Sequence, residues 1–156
     1  MAEFNSAENL NMNLAENLST DVMTGGLDER MFLYFRLSGS MKKADGVDII
    51  VSFLMESGVK MILKDLDQAL QRGAKIRILT GNYLGITQPS ALYLIKRKLG
   101  DQVDLRFYND PKRSFHPKAY MFHYATYSEM YIGSSNVSRS ALTSGIEWNY
   151  RFNSKT

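Results

Sequence analysis

His116-Pro117-Lys118, Gly133-Ser134-Ser135-Asn136 and Glu147 bring together one imidazole, one ammonium, several small hydrogen-bonding side chains and one carboxylate. Those groups suit the breaking of a phosphodiester without a metal: imidazole for nucleophilic and proton-transfer steps, ammonium and amide donors for phosphate oxygens. His116 and Lys118 stand two residues apart at the start of an aromatic-rich stretch, Lys118-Ala-Tyr-Met-Phe-His-Tyr124, that reads as a strand. In a strand, residues i and i+2 point to the same face, so the two side chains project together. Ser134 and Asn136 share that offset, as do Glu147 and Asn149. Three short segments can each offer a polar pair to one spot. The same alternation turns Trp148, Tyr150 and Phe152 the other way, into an expected core.

Taken singly, each group has a plainer explanation. A histidine in an aromatic strand is more often structural, a lone lysine is a solvated charge, and Gly-Ser-Ser-Asn is a turn-forming cluster. Together they define a phosphate site. Lys118 would hold a phosphate oxygen as a point charge. Gly133 would let a phosphate approach the backbone while Ser134 and Asn136 donate. Glu147 would accept from the imidazole and hold its tautomer, the alternative being a surface strand carboxylate. Lys112, Arg113 and Arg139 flank the site in sequence and could touch nucleic-acid phosphates, although each is individually a solvated charge. Thr80-Gly81-Asn82-Tyr83 follows a strand, so it could line the same cleft at the carboxyl end of the sheet.

This constellation resembles the phospholipase D superfamily, whose signature is His-x-Lys, four residues, Asp, then a Gly-Ser-x-Asn-like turn. The run from Gly133 to Asn149 is similar to the phospholipase D-type nuclease domain attached to DEAD/DEAH-type helicase-like proteins and some restriction enzymes. The specific motif covers the last third of the chain. The chain departs from the pattern in two places: His123 stands where the family has Asp, and Gly133 comes three residues late, as an insertion near Tyr124 to Glu129 would explain. The resemblance implies a metal-independent phosphodiesterase that cuts DNA, with RNA as the alternative, through a histidine nucleophile and a phosphohistidine intermediate. It implies His116, Lys118, Asn136 and Glu147 as catalytic residues, Lys118, Ser134 and Asn136 as phosphate-binding residues, no cofactor, and a place within a larger helicase- or restriction-type protein.

That chemistry needs two imidazoles, one attacking and one protonating the leaving oxygen. The chain has two histidines. His123 lies seven residues from His116, an odd offset that puts it on the opposite strand face, and over roughly 20 Å away along the strand. It cannot serve His116 within one regular strand. Family members with one motif per chain are similar in pairing two subunits around a shared site, so a homodimer with two-fold symmetry is expected.

The elements that must position these groups follow from the apolar pattern. Residues 1–26 read as a flexible or weakly helical leader, with Leu10, Leu14 and Leu18 at four-residue steps and Gly25-Gly26 as its boundary. Residues 27–156 read as the phospholipase D-like domain. A helix is expected from Leu27 to about Ala44, and a buried strand over Val47–Leu54. A helix capped by Ser57 and stopped by Gly73 follows, then a strand over Lys75–Thr80. Pro89 opens a helix that Gly100 closes, and Val103–Tyr108 is a third strand. A hairpin from Phe115 to Ser134 comes next, with a short helix around Val137 to Leu142. This order implies an α/β fold with a mixed, mostly parallel sheet in an α/β/α sandwich.

At 156 residues and a formal charge of +3 the chain suits one mildly basic domain that permits a polyanionic partner. No cysteine is present, which excludes disulfides and thiolate metal sites. No apolar run is long enough to span a bilayer and no signal peptide opens the chain, so a cytoplasmic location without membrane contact is expected. A competing function is a non-catalytic nucleic-acid-binding or dimerisation module. Lipid hydrolysis is a third, disfavoured by the lack of an amphipathic membrane face.

Overall fold

The computed structural model describes residues 21–155. The leucines at 10, 14 and 18, and with them most of the expected leader, lie outside the described residues. In chain order the regular elements are β1 (Val22–Met23), α1 (Leu33–Met41), β2 (Gly46–Val51), α2 (Glu56–Gln71), β3 (Lys75–Gly81) and α3 (Pro89–Leu99). They continue with β4 (Val103–Tyr108), β5 (Lys118–His123), β6 (Tyr127–Gly133), α4 (Arg139–Leu142) and β7 (Asn149–Lys155). All seven strands form one sheet in the order β1-β7-β6-β5-β2-β3-β4.

The fold is mixed α/β, as the element order implies. The balance of the sheet, however, is antiparallel rather than mostly parallel. Only β2–β3 and β3–β4 pair in parallel, each joined through a helix, while β2–β5, β5–β6, β6–β7 and β1–β7 are antiparallel. For β5 and β6 the cause is connection length: a parallel pair needs a crossover of a dozen or more residues, and no helix stands between them. Val22 and Met23 pair with Tyr150 and Asn149, so the sheet begins before Gly25-Gly26.

Local signals set several boundaries. Proline at the first turn of α3 and Gly100 in a positive-φ conformation (φ 63°) start and stop that helix where the sequence indicates. Helix α2 differs. Its N-cap is Met55 rather than Ser57, and the Glu56 amide donates to Gln88 Oε1 at 2.8 Å. The Ser57 hydroxyl instead accepts from the Arg139 amide at 3.3 Å. One residue on, a Cβ at Gly58 would stand 2.5 Å from the Ser138 nitrogen. That glycine therefore lets the loop of residues 136–138 lie on the first turn of α2.

The core lies on one side of the sheet. Val47, Ile49, Val51, Ile76, Ile78, Tyr120, Phe122 and Tyr131 pack there against Leu33 and Leu37 of α1, Val59, Ile62 and Leu66 of α2, and Ile95 of α3. Among the described residues all four helices pack on this face, α2 touching each of the others. The described part is thus two-layered rather than an α/β/α sandwich. Both crossovers run the same way along the sheet, and the right-handed rule then places α2 and α3 on the same side.

The opposite face carries the residues of alternate parity. Trp148 (70%), Tyr150 (45%), Phe152 (49%) and Ile132 (45%) are exposed there, so the aromatic run expected in a core faces outward. At the inner end of β6, buried Glu129 accepts from Ser40, from Tyr124 at 3.1 Å and from Tyr131 at 3.1 Å, and pairs with Arg151 at 2.7 Å. Burial pushes the Tyr131 phenol up to about 12, with the Glu129 charge adding to the rise. No helix among the described residues is long and apolar enough to cross a membrane.

Candidate active site

The site forms where β2 ends and β5 begins. Lys118 lies opposite Val51 in the antiparallel pair, which brings its side chain over the next residue of the β2 chain, Ser52. Lys118 Nζ donates to Ser52 Oγ at 3.0 Å and to the His116 carbonyl at 3.0 Å, and lies 3.0 Å from His116 Nε2. The imidazole and ammonium therefore meet, as their spacing indicates. Ser52 is fully buried and its hydroxyl donates to the Pro117 carbonyl at 3.2 Å. It fixes both the lysine and the turn before it. In the sequence Ser52 is one polar residue in an apolar run; only the register reveals that it lies beneath Lys118.

The Gly-Ser-Ser-Asn segment reaches the same strand end from the other side. Asn136 Oδ1 accepts from the Phe53 amide at 3.2 Å, and Leu54 pairs in parallel with Val137. Asn136 is largely buried, held beside the residue that follows Ser52. Ser135 is structural: its hydroxyl donates to the Ala141 carbonyl at 3.0 Å, and Asn149 Nδ2 donates to it at 2.9 Å. Its carbonyl accepts from the buried Tyr120 hydroxyl at 3.0 Å. Asn149, which shares the offset of Glu147, is thus a brace for the turn.

Gly133 answers a different need from the one expected. A Cβ there would lie 1.9 Å from the Trp148 carbonyl oxygen. The glycine makes room for the chain entering β7, not for a phosphate. This close approach sets Ser134 against residues 147 and 148. The Ser134 hydroxyl donates to Glu147 Oε2 and accepts from the Trp148 amide at 2.9 Å.

Glu147 is therefore hydrogen-bonded to Ser134 rather than to the imidazole of its own chain. It still acts on the site through charge. Burial lowers the pKa of the Lys118 ammonium, and the negative charge of Glu147 partly restores it. The half-buried ammonium already has protein partners in Ser52 and the His116 carbonyl, which orient it toward the rim.

Tyr83 stands against the imidazole, with ring centroids 4.4 Å apart at 49°. The segment after β3 does line the site. His123 does not belong to it. At the far end of β5, on the helix-free face, its Nε2 lies 2.9 Å from Asp48 Oδ2 and its Nδ1 3.1 Å from Ser128 Oγ. Among the described residues no group of three or more His, Cys, Asp or Glu is placed to hold a metal ion.

Lys118 and Asn136 are thus gathered around the end of β2, with an exposed imidazole at the rim, while the expected third phosphate donor, Ser134, is bonded to Glu147 and Trp148. That geometry can receive a phosphodiester, with cationic and amide donors on its oxygens and an imidazole beside phosphorus. The family model described as cardiolipin synthase, PLD-like domain, matches residues 38–156. Among solved structures, phosphatidylserine synthase from Haemophilus influenzae is similar at 13% identity and a TM-score of 0.59, over 86% of this chain and 34% of that one. Polyphosphate kinase from Porphyromonas gingivalis aligns at 14% identity and a TM-score of 0.53, over 78% and 20% of the two chains. A mutant of yeast tyrosyl-DNA phosphodiesterase 1 aligns at 14% identity and a TM-score of 0.50, over 76% and 29%. At these identities the likeness is one of fold, and the chain spans about a third or less of each of those proteins. No curated protein matches the chain.

Proposed function

Since this chain belongs to the family of phospholipase D-like domains described by the cardiolipin synthase model, we propose that it is a metal-independent phosphodiesterase. We propose DNA as its substrate and His116 as its nucleophile. The observation that carries this is the contact of Lys118 Nζ with His116 Nε2 at 3.0 Å on an exposed strand end. A phosphate oxygen entering there takes over the lysine's donor and leaves the ring nitrogen facing phosphorus. Lys118, with Asn136, then holds the negative charge that grows on the equatorial oxygens, while Ser134, expected to share that task, has its one hydroxyl proton on Glu147 and joins only by giving up that bond. The charge of Glu147 favours the ammonium form of Lys118, against the effect of burial.

In the proposed first step a bond forms between the imidazole nitrogen and phosphorus while the bond from phosphorus to the leaving oxygen breaks. A second imidazole gives that oxygen its proton. Water then attacks the phosphohistidine, its proton passes to the second imidazole, and His116 is released. His123 cannot supply the second imidazole, because Asp48 and Ser128 hold it at the other end of β5. The second group is His116 of another copy, in a homodimer with one shared site. The nuclease role within a larger helicase- or restriction-type protein rests on the Gly133–Asn149 resemblance.

The test is cleavage of DNA in EDTA by the wild type and by His116→Ala. Persistent cutting that the substitution abolishes supports the proposal; cutting that survives His116→Ala overturns it. A lipid substrate is the second reading, favoured by the exposed Trp148, Tyr150 and Phe152. It predicts head-group release from phosphatidylglycerol vesicles, lost in the same variant.

A further inference from the structure

A cleft of about 460 Å3 opens beside His116, between the segment that follows β3 and the loop joining β4 to β5. That volume falls in the range of roughly 300–1,000 Å3 usual for small-molecule sites. Tyr83, Tyr108 and Phe115 supply its aromatic walls, and Lys112 and Arg113 its positive charge. None of these side chains takes part in the chemistry proposed above.

The walls are built in. Phe115 stacks on Tyr108 with centroids 4.8 Å apart at 22°. Its ring lies directly over Gly81, where a Cβ would come within 2.8 Å of the ring carbon Cδ1. Tyr83 joins the cleft to the reaction centre through its contact with the imidazole. At the rim Leu84 is 78% exposed and held at φ 52°, a left-handed conformation rare for leucine. Such strain persists where the surroundings over-determine the backbone, and it concentrates at binding sites.

The charges fit a phosphate next to an aromatic ligand. Asp110 is engaged in shaping the loop: it accepts from the Lys112 amide at 2.9 Å and from the Tyr108 hydroxyl at 3.5 Å, and pairs loosely with Arg113 at 3.8 Å. The Lys112 ammonium has no ion-pair partner among the described residues. Arg113 stands three residues before His116, so the two backbones are at most about 11 Å apart. A chain whose scissile phosphate lies on Lys118 would pass the neighbouring nucleotide through this cleft.

We propose that the cleft is a nucleoside subsite, which takes one unstacked base of a single-stranded nucleic acid beside the scissile phosphate. Tyr83, Tyr108 and Phe115 enclose the base, and Lys112 and Arg113 hold the flanking phosphate. This rests on the phosphodiesterase proposal for its placement of the scissile phosphate. Base stacking is strong enough to matter and tolerant of sequence, and a base within a duplex could not enter without unpairing.

The experiment measures equilibrium binding of a short oligothymidylate to the full chain carrying His116→Ala, so that no substrate is consumed. Adding Tyr83→Ala should raise Kd about 5- to 150-fold, the range for losing one stacked base. Replacing Lys112 and Arg113 together by Ala should lower the slope of log Kd against log salt by about 1.4. An oligomer with an abasic residue beside the cleavage position should lose affinity without any change to the protein, which keeps the test independent of folding in the variants. The same oligomers with ribose in place of deoxyribose distinguish DNA from RNA. Equal Kd for the intact and abasic oligomers, or for single strand and duplex, would overturn the subsite. If the wild type cuts DNA in EDTA under that result, the phosphodiesterase proposal survives it. If the oligomer binds through Tyr83 but nothing is cut, the subsite stands and the phosphodiesterase proposal fails.

Discussion

Strand β5 ends in one histidine and another stands just before it, and the two differ in what surrounds the ring. His123 is clamped: Asp48 and Ser128 take both ring nitrogens, and Arg77 closes on the same carboxylate with Nε at 2.6 Å from Asp48 Oδ1. His116, just before the strand, meets an ammonium at 3.0 Å and a tyrosine ring, and no carboxylate among the described residues holds it. A histidine whose hydrogen bonds are all taken by neighbours stabilises the fold. One left at a rim beside a cation can react with an anion. Strand position alone thus separates a structural histidine from a candidate nucleophile.

The sharpest test of that difference, after removal of His116 itself, is Lys118→Ala. Loss of a donor placed where charge develops costs about 100- to 1,000-fold in turnover. Steady-state kinetics on a variant shown by circular dichroism to be folded will measure it. A wild-type rate would make Lys118 a surface charge like any other. Asn136→Ala should act in the same direction but less strongly, since a neutral group is lost.

Glu147→Gln tests the carboxylate behind the cation, with an expected loss of about tenfold, the scale of one charged hydrogen bond. Its pH dependence carries a sign. Burial already lowers the pKa of Lys118, and Glu147 opposes that effect. Removing the charge lowers it further, so the ammonium deprotonates sooner as pH rises. The alkaline limb of kcat/KM should move to lower pH. A shift to higher pH, or none, would mean that Glu147 acts only through its bond to Ser134.

These contacts also show how far the sequence could be read. The His116–Lys118 pair was legible because strand parity is a local rule, and α3 was legible because proline and glycine act on their own backbone. The outward turn of Trp148, Tyr150 and Phe152 was not. Aromatic residues on alternate positions signal a strand with two different faces, yet the face that is covered depends on where the helices cross. Gly133 likewise looked like a phosphate-binding glycine, because the need for a missing side chain arises from Trp148, fifteen residues away. Glu147 missed its expected partner for a similar reason. Ser134 is nearer, and only the pairing of β6 with β7 decides that.

A smaller effect, about a factor of two, distinguishes a shared site from a self-contained one. After subunit exchange between equal amounts of wild type and His116→Ala, random pairing leaves about half of the dimers mixed and a quarter fully wild type. A mixed dimer retains one imidazole and lacks its partner. Activity per wild-type chain should therefore fall to about half. Unchanged activity, with exchange confirmed by tagged subunits, would show that each chain works alone.

The smallest effect on turnover is expected at the clamped end of β5. His123→Ala should leave cleavage within about twofold, while stability falls by roughly 1 kcal/mol, the worth of one hydrogen bond to a charged partner in a half-exposed setting. Burial alone would raise the pKa of Asp48, but hydrogen bonds from Arg77 and then His123 outweigh it and hold the carboxyl below its ordinary value. The stabilisation from ionised Asp48 is therefore present above the ordinary carboxylate pKa and disappears as pH falls through the lowered, folded-state value. Taking away His123 removes one of the lowering contacts, so acid unfolding should begin at a higher pH than in the wild type. Thermal melts from pH 7 down to pH 2 will show the shift. A large loss of cleavage at neutral pH in a folded His123→Ala would break the comparison, because the far histidine would then have a part in the chemistry.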